Sequence, residues 1–280
     1  MSTVDLHMHS AASDGSDTVP ELLEKVQAAG ITAFSVTDHD TVDGAMEMQR
    51  LVPDGLRYIP GIEFSSVTAR GKCHILGYNY DPASADFQEV LVCGKTLRAR
   101  KLTCRLEVLK EKFGICLTQE ELAWLHRQSS PGKPHIAQLL VERGLFPNIK
   151  TAISEVVNHC KAPLSRIPAE KVVPAILHAG GVPVWAHPLG GEGERLLDEA
   201  EFTAQLRCLT SLGIRGLECY YSRYTPEQIR FLKNAAGRSG LLVSGGSDFH
   251  GRNKANISPG KLNASDVPVP IDQITVLGLF

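Results

Sequence analysis

The segment VDLHMHSAASDGSDT near the start of the chain sets His7, His9 and Asp14 within a few residues of one another. In an extended backbone, alternate side chains point the same way, so His7 and His9 can grip one ion together. Groups of the same kind recur down the chain: Asp38-His39-Asp40, Glu63, His74, His187, Asp248 and His250. Imidazole mixed with carboxylate suits zinc, manganese or iron(II) better than calcium. The nine groups His7, His9, Asp14, His39, Glu63, His74, His187, Asp248 and His250 exceed the roughly four to six ligands that one such ion takes. They imply a cluster of two or three divalent ions, with Glu63 available to bridge. Taken singly, each has a plainer explanation. A lone histidine at a strand end is usually a hydrogen-bonded structural residue, Asp14 before Gly15 reads as an Asx turn, and Asp248 reads as a cap. Only their joint recurrence points to metal. Asp38 and Asp40 read as supports or caps, and His126, His159 and His178 as surface histidines, with His135 set apart as a partial exception.

The elements that must position these groups alternate. Short apolar runs rich in β-branched residues occur at 4–6, 33–36, 58–62, 74–77, 182–185, 216–219 and 241–244, which gives seven candidate strands. Helix signals lie between them: Thr18 and Pro20 with a stop at Gly30, Thr41, Pro168 with Gly180 and Gly181, and the capping box Thr225-Pro226-Glu227-Gln228. Such alternation predicts an α/β fold with a parallel sheet closed into a barrel, in which the C-terminal ends of the strands converge on one face. Most of the metal-competent groups fall at those ends. The interval 84–163 breaks the rhythm, with helical patterns at 87–113, 119–127, 134–144 and 149–160 and no strand. It reads as a helical insertion or lid between the barrel segments 1–83 and 164–280.

Composition narrows the function further. The chain of 280 residues is 43% hydrophobic and carries a net charge of -2, so any polyanion site must be local rather than global. Its seven cysteines form no CxxC pair and read as small core fillers. No signal peptide or membrane-length apolar run appears, which fits a reducing cytoplasm and no membrane partner. No GxSxG elbow or other protein nucleophile is evident, so the nucleophile expected is a hydroxide bridging the metals. No protein partner is implied.

The motifs DLHMHSAASDG, VTDHD, GIEFS, HILGY, WAHPL and GSDFHG resemble, in order and over almost the whole chain, the polymerase and histidinol phosphatase family of metal-dependent phosphoesterases. The resemblance implies a distorted seven-stranded barrel and a three-metal cluster. It assigns His7, His9, Glu63 and Asp248 to the first metal, Glu63, His74 and His187 to the second, and Asp14, His39 and His250 to the third. The insertion, with GKPHIAQLLVERG, is similar to the subgroup of 3',5'-nucleoside bisphosphate phosphatases and 5'-3' exoribonucleases. The implied substrate is therefore a phosphorylated small molecule, a nucleotide or short RNA. Lys133 stands where relatives often carry arginine. Within the basic run GKTLRARKLTCRLEVLKEK, Arg98, Lys101 and Arg105 share one helical face, and Arg100, Lys101, Arg105, Lys133 and His135 are candidate substrate contacts. Glu107 and Glu111 also allow that run to be a solvated face. The alternatives are histidinol phosphate or another small phosphate ester, a C–N bond as in amide-hydrolysing metal barrels, and nucleotide binding without catalysis.

Overall fold

The computed structural model describes residues 3–159, 166–191 and 195–280. The strands are β1 (Val4–Asp5), β2 (Ala33–Phe34), β3 (Arg57–Tyr58), β4 (Gly61–Thr68), β5 (Gly71–Tyr78), β6 (Ile167–Pro168), β7 (Val182–Ala186), β8 (Gly216–Tyr221) and β9 (Leu242–Gly246). The helices are α1 (Val19–Ala28), α2 (Asp43–Leu51), α3 (Ala85–Phe113), α4 (Gln119–Arg127), α5 (Lys133–Glu142), α6 (Ile149–Glu155), α7 (Ala169–His178), α8 (Glu199–Leu212) and α9 (Pro226–Arg238). The result is a mixed α/β fold.

Among the described residues the strands make two sheets, β1-β2-β3 and β6-β4-β5-β7-β8-β9. The single closed, all-parallel sheet expected from alternation is not what forms. β5 runs antiparallel to both β4 and β7. The reason is local: Thr68 pairs with Gly71 across a two-residue turn, and so short a connection can only reverse the chain. Gly71 takes a φ of 144° there, and the Thr68 hydroxyl accepts the Arg70 amide hydrogen at 3.0 Å. Beyond their regular spans, β1 and β2 run on to meet the larger sheet. The Leu6 amide donates to Gly245 at 3.1 Å, the Glu63 amide to Asp38 at 3.2 Å and the Asp40 amide to Glu63 at 3.0 Å. Isolated parallel bridges join Met8 to Phe249 and His39 to Glu63.

Three apolar clusters carry the packing. The largest fills the space between the main sheet and its helices, around Phe64, Tyr78, Val184, Leu217 and Leu232. A second lies under α1 and α2, around Met8, Leu22, Phe34 and Met48. A third belongs to the helices after position 84 and includes Leu102, Leu109, Leu125, Ile136 and Leu140. The long helix α3 serves two of them. Phe87, Val90 and Leu91 from its first half join the main core, whereas Leu102 and Leu109 join the third. The expected helix at 149–160 breaks earlier, at Val156, and continues as a 3-10 turn through His159. Cys160 and the 163/164 boundary lie outside the described residues. The sequence pattern missed α8, although Asp198 and Glu201 form a reciprocal capping box at its start. Of the six described cysteines, Cys73 and Cys219 are buried, Cys116 is exposed and the rest lie between, so the core-filler expectation suits two of them. Among the described residues no helix is long and apolar enough to cross a membrane.

One close approach fixes where β9 sits against β1. A Cβ on Gly246 would lie 2.1 Å from His7 Cβ and 2.6 Å from His7 N, and backbone cannot swing aside as a flexible side chain can. Gly246→Ala is expected to destabilise the fold by about 2 to 3 kcal/mol, a Tm loss of roughly 5–10 °C. Gly237→Ala, in α9 with nothing within 4 Å of the added carbon, is the control and should leave Tm unchanged or raise it slightly. Thermal denaturation of both variants, followed by circular dichroism, checks the pair.

Candidate metal centre

Every expected ligand arrives at one place, but not all by the expected route. His7 and His9 follow β1, His39 follows β2, His187 follows β7, and Asp248 and His250 follow β9. Asp14 comes from the loop before α1. Glu63 sits inside β4, and His74 lies opposite Ser65 and Ala186 near the start of β5. Because β5 is reversed, its beginning lies where its neighbours' ends are, so His74 reaches the centre from the front of its strand. Asp40, His187 and Asp248 adopt φ values of 53°, 28° and 58°, a left-handed region that non-glycine residues occupy at a cost. All three stand where the chain turns at the rim of this centre.

Glu63 is the hub. Its Oε2 lies 3.2 Å from His7 Nε2, 3.2 Å from His9 Nε2 and 3.1 Å from His39 Nδ1. Its Oε1 lies 2.7 Å from His74 Nδ1 and 3.1 Å from His187 Nε2. Asp248 Oδ1 is 3.7 Å from His7 Nε2 and 3.4 Å from His9 Nε2. Asp14 Oδ1 is 3.3 Å from His250 Nε2, and its Oδ2 is 3.9 Å from His39 Nε2. Despite this crowding, His7 Nε2, His9 Nε2, His39 Nδ1 and Asp14 Oδ1 are buried without a hydrogen-bond partner. A buried polar atom left unpaired costs about 1–3 kcal/mol, so four at one spot demand another kind of partner, and lone pairs converging from several sides are what a divalent cation requires. Three sets of donor atoms lie within 4.8 Å of one another: His9, Asp14, His39 and His250; His7, His9 and Glu63; His39, Glu63 and His74. The residues fit a metal cluster.

A ring of supports, mostly invisible in the sequence motifs, aims these donors. Glu218 is fully buried in β8. Its Oε1 lies 2.9 Å from His7 Nδ1 and its Oε2 accepts the His187 amide hydrogen at 2.6 Å. A carboxylate in the otherwise apolar run GLECYY was the signal available for it. Tyr221 donates to Asp248 Oδ2 at 2.8 Å and Lys254 donates to the same oxygen at 2.5 Å. Asp38 gathers the Ser10 amide and the Ser10 and Ser13 hydroxyls. Asp5 accepts amide hydrogens from His7, Ser247 and Gly260, yet burial still pushes its pKa up to about 6. Burial opposes ionisation of Glu63, Asp14 and Asp248, but the surrounding imidazoles, and for Asp248 first the Lys254 ammonium, outweigh it and hold these carboxyls well below their usual range. Burial lowers the pKa of His39, His74 and His250, whereas for His7, His9 and His187 the nearby carboxylates of Glu63, Glu218 and Asp248 outweigh burial and raise it, that of His9 to about 9. The carboxylates are thus held ionised, as metal ligands must be, and a bound metal would have to displace the protons that His7, His9 and His187 favour in its absence.

The candidate substrate contacts divide. Lys101 has its pKa pushed down to about 7 by burial and then by Arg105, Arg98, Arg166 and Lys133, so these five cations form one group. Arg166, just before β6, was missed by the sequence pattern. His135 is buried, accepts the Gly132 amide hydrogen at 3.0 Å, and feels the Asp14 charge. An added Cβ on Gly132 would lie 3.5 Å from Asp14 Cβ, which puts the start of α5 against the centre. Arg98 is committed to Asp40, with Nε donating to Oδ2 at 2.6 Å. Lys133 Nζ donates to Asn158 at 2.5 Å. Arg100 is exposed on α3, and the structure does not bring it to the group.

Comparison with known proteins gives a consistent picture. The PHP domain family matches residues 5–160. A 3',5'-nucleoside bisphosphate phosphatase of Chromobacterium violaceum is 28% identical, over 89% of this chain and 88% of its own. A 5'-3' exoribonuclease of Haemophilus influenzae is 30% identical, over 88% of this chain and 89% of its own. Among solved structures, a protein of Bifidobacterium adolescentis named for a metal-dependent phosphoesterase superposes with a TM-score of 0.82 at 27% identity, covering 97% of this chain and 94% of that one.

Two substitutions test the centre. His9→Ala should lose bound metal and nearly all metal-dependent turnover while far-UV circular dichroism stays close to wild type. Glu218→Gln, which keeps its shape but weakens the hold on His7, should lower metal affinity roughly 10- to 100-fold. Metal analysis after dialysis reads both. Full metal content in His9→Ala would remove His9 from the ligand set.

Proposed function

Since this chain belongs to the PHP domain family, we propose that it is a metal-dependent phosphoesterase acting on nucleotides, with 3',5'-nucleoside bisphosphates and short oligoribonucleotides as its substrate class. One observation carries this reading: a buried cluster of partnerless imidazole and carboxylate donors lies close to five clustered cations. The donors suit metal, and the cations suit a second phosphate.

The proposed ligands are His7, His9, Glu63 and Asp248 for one ion, Glu63, His74 and His187 for a second, and Asp14, His39 and His250 for a third. Manganese, zinc and iron(II) all suit these donors. Bound there, divalent ions supply charge to neutralise phosphoryl oxygens and acidify water enough for it to attack phosphorus at neutral pH. The protein's own part is positioning. Glu218 engages His7 Nδ1 and leaves Nε2 facing Glu63. The Asp248 carbonyl lies 2.9 Å from His250 Nδ1, leaving Nε2 facing Asp14. Lys101, Arg105 and Lys133, with Arg166, would hold a phosphate remote from the reacting bond, and His135 would border it. The bridges from β1 to β9 and from β2 to β4 support the seven-stranded, barrel-like closure that the family resemblance implies. The separate apolar cluster after position 84 supports a helical lid domain over 84–163, inserted between 1–83 and 164–280. Free thiols in the described cysteines accord with a cytoplasmic setting.

A manganese-supplemented panel of adenosine 3',5'-bisphosphate, short RNA, histidinol phosphate, an aryl phosphate and amides tests the reading. Nucleotide esters should be turned over with the highest kcat/KM, and preference for an amide would refute it. Lys101→Met should lower kcat/KM on the bisphosphate by about tenfold to over a hundredfold, the worth of a charge-assisted contact of about 1.5–3 kcal/mol, and leave the aryl phosphate nearly unchanged. The wild-type advantage should be full below pH 7 and fade as the pH rises past about 7, where Lys101 loses its proton. Stability should move oppositely. A folded pKa below the unfolded one means that the buried charge destabilises the fold below pH 7, and that this penalty is relieved as the pH climbs from about 7 towards 10.5. Lys101→Met should therefore have the higher Tm at pH 6 and lose that lead by pH 10.5.

A further inference from the structure

A cleft adjoins the metal centre. It has a volume of about 570 Å3, and His74 and His187, both against Glu63, form one of its walls. Arg70, Lys72, Arg166 and Arg195 line the remainder, with Glu201 as the acid among them. That acid is engaged: both terminal nitrogens of Arg195 donate to the Glu201 carboxylate, at 2.9 and 2.5 Å. Arg70 and Lys72 are exposed and ion-paired to no described residue. They ride on the tight β4–β5 turn, whose ladder is continuous from Gly61 to Thr68, so their backbone is held firmly. Arg166 joins the two sides. It donates to the Cys73 carbonyl at 3.3 Å beside His74, lines this cleft, and also acts on Lys101 in the other cation group. Positive charge therefore lies on both sides of Arg166, around Lys101 and along this cleft beside His74 and His187.

We propose that this cleft is a second anion subsite, which receives the sugar-phosphate backbone of a single-stranded nucleic acid next to the nucleotide being hydrolysed. The proposal rests on the phosphoesterase reading and names the length of chain that the site accepts. The volume suits one nucleotide-sized unit. Trp185, the aromatic in its lining, is 2% exposed and stacked on Phe202 at 5.3 Å, so it offers no open face to a base. Recognition there runs through phosphate, which positions a strand without reading its sequence.

The test is the double variant Arg70→Ala/Lys72→Ala, whose side chains stand outside the core and the metal centre. Binding of a fluorescent, hydrolysis-resistant phosphorothioate tetranucleotide is followed by anisotropy across a salt series, beside turnover of adenosine 3',5'-bisphosphate. The variant should bind the tetranucleotide roughly tenfold more weakly, and its slope of log affinity against log salt should shrink by about 1.4, as expected when two phosphates of a single strand are no longer neutralised. Turnover of the bisphosphate should stay within about twofold, because that substrate ends before the cleft. Equal tetranucleotide affinity in wild type and variant, no binding by wild type, or equal losses on both substrates would each overturn the subsite. Wild-type binding that depends on Arg70 and Lys72, without hydrolysis of any phosphate ester, would instead uphold the cleft and overturn the phosphoesterase reading.

Discussion

The buried carboxylate of Glu63, with five imidazoles around its two oxygens, is the constraint from which most of the architecture follows. A charge removed from water is tolerable only when opposing charges or dipoles are fixed around it. Fixing five rings on one carboxylate requires that segments far apart in sequence end together, and the chain meets that demand by interrupting regular structure at each end. β1 and β2 stop short as ladders and continue as single bridges. Asp40, His187 and Asp248 accept left-handed backbone at the rim. Behind the donors stands a further set of groups: Glu218 holds His7 and the His187 amide, Tyr221 and Lys254 hold Asp248, and Asp38 gathers Ser10 and Ser13 of the loop that carries Asp14.

The insertion is tied to this centre rather than merely appended to it. α3 starts in the main core and ends in the insertion's own cluster, and midway along it Arg98 reaches Asp40, the neighbour of His39. The same guanidinium lies 3.2 Å from the Ser65 hydroxyl on β4. At the other junction the backbone of Gly132 approaches Asp14. Both contacts fall beside proposed ligands, so the helices after position 84 meet the centre through the Arg98–Asp40 ion pair and the close backbone approach of Gly132 to Asp14. The cations Lys101, Arg105, Lys133 and Arg166 repel one another across partly dry space.

The elements of the fold were legible in the sequence to different degrees. Helix ends were, because capping boxes such as Thr18/Glu21, Thr118/Glu121 and Thr225/Gln228 are local chemistry. The α8 box at Asp198 obeys the same rule and is as readable as the others. Most strands were legible too, although β6 was missed and β3 and β4 were read as one run, but strand direction was not. The difference between a parallel β5 and the observed antiparallel one rests on the two-residue turn before Gly71, a signal overridden by the general βα alternation. Arg100 and Arg98 show the limit on helices. Periodicity says which residues share a face, whereas which face meets the protein depends on packing, and here Arg98 is spent on Asp40 while Arg100 faces out.

By itself, then, the sequence determined the inventory: the donors His7, His9, Asp14, His39, Glu63, His74, His187, Asp248 and His250, the placement of most of them at element ends, and the helical break after position 84. Side-chain type and spacing are local properties, and metal-competent groups keep their chemistry wherever they fall. The tertiary structure alone decided which donors share an atom's reach, that Glu218 lies against His7 and His187, that Arg166 joins the cations around Lys101, and that a cationic cleft adjoins the centre. Those facts depend on distances between residues far apart in the chain. Such distances are set by the summed packing of three apolar clusters, which no short segment contains, even though the reversal of β5 itself starts at a local turn.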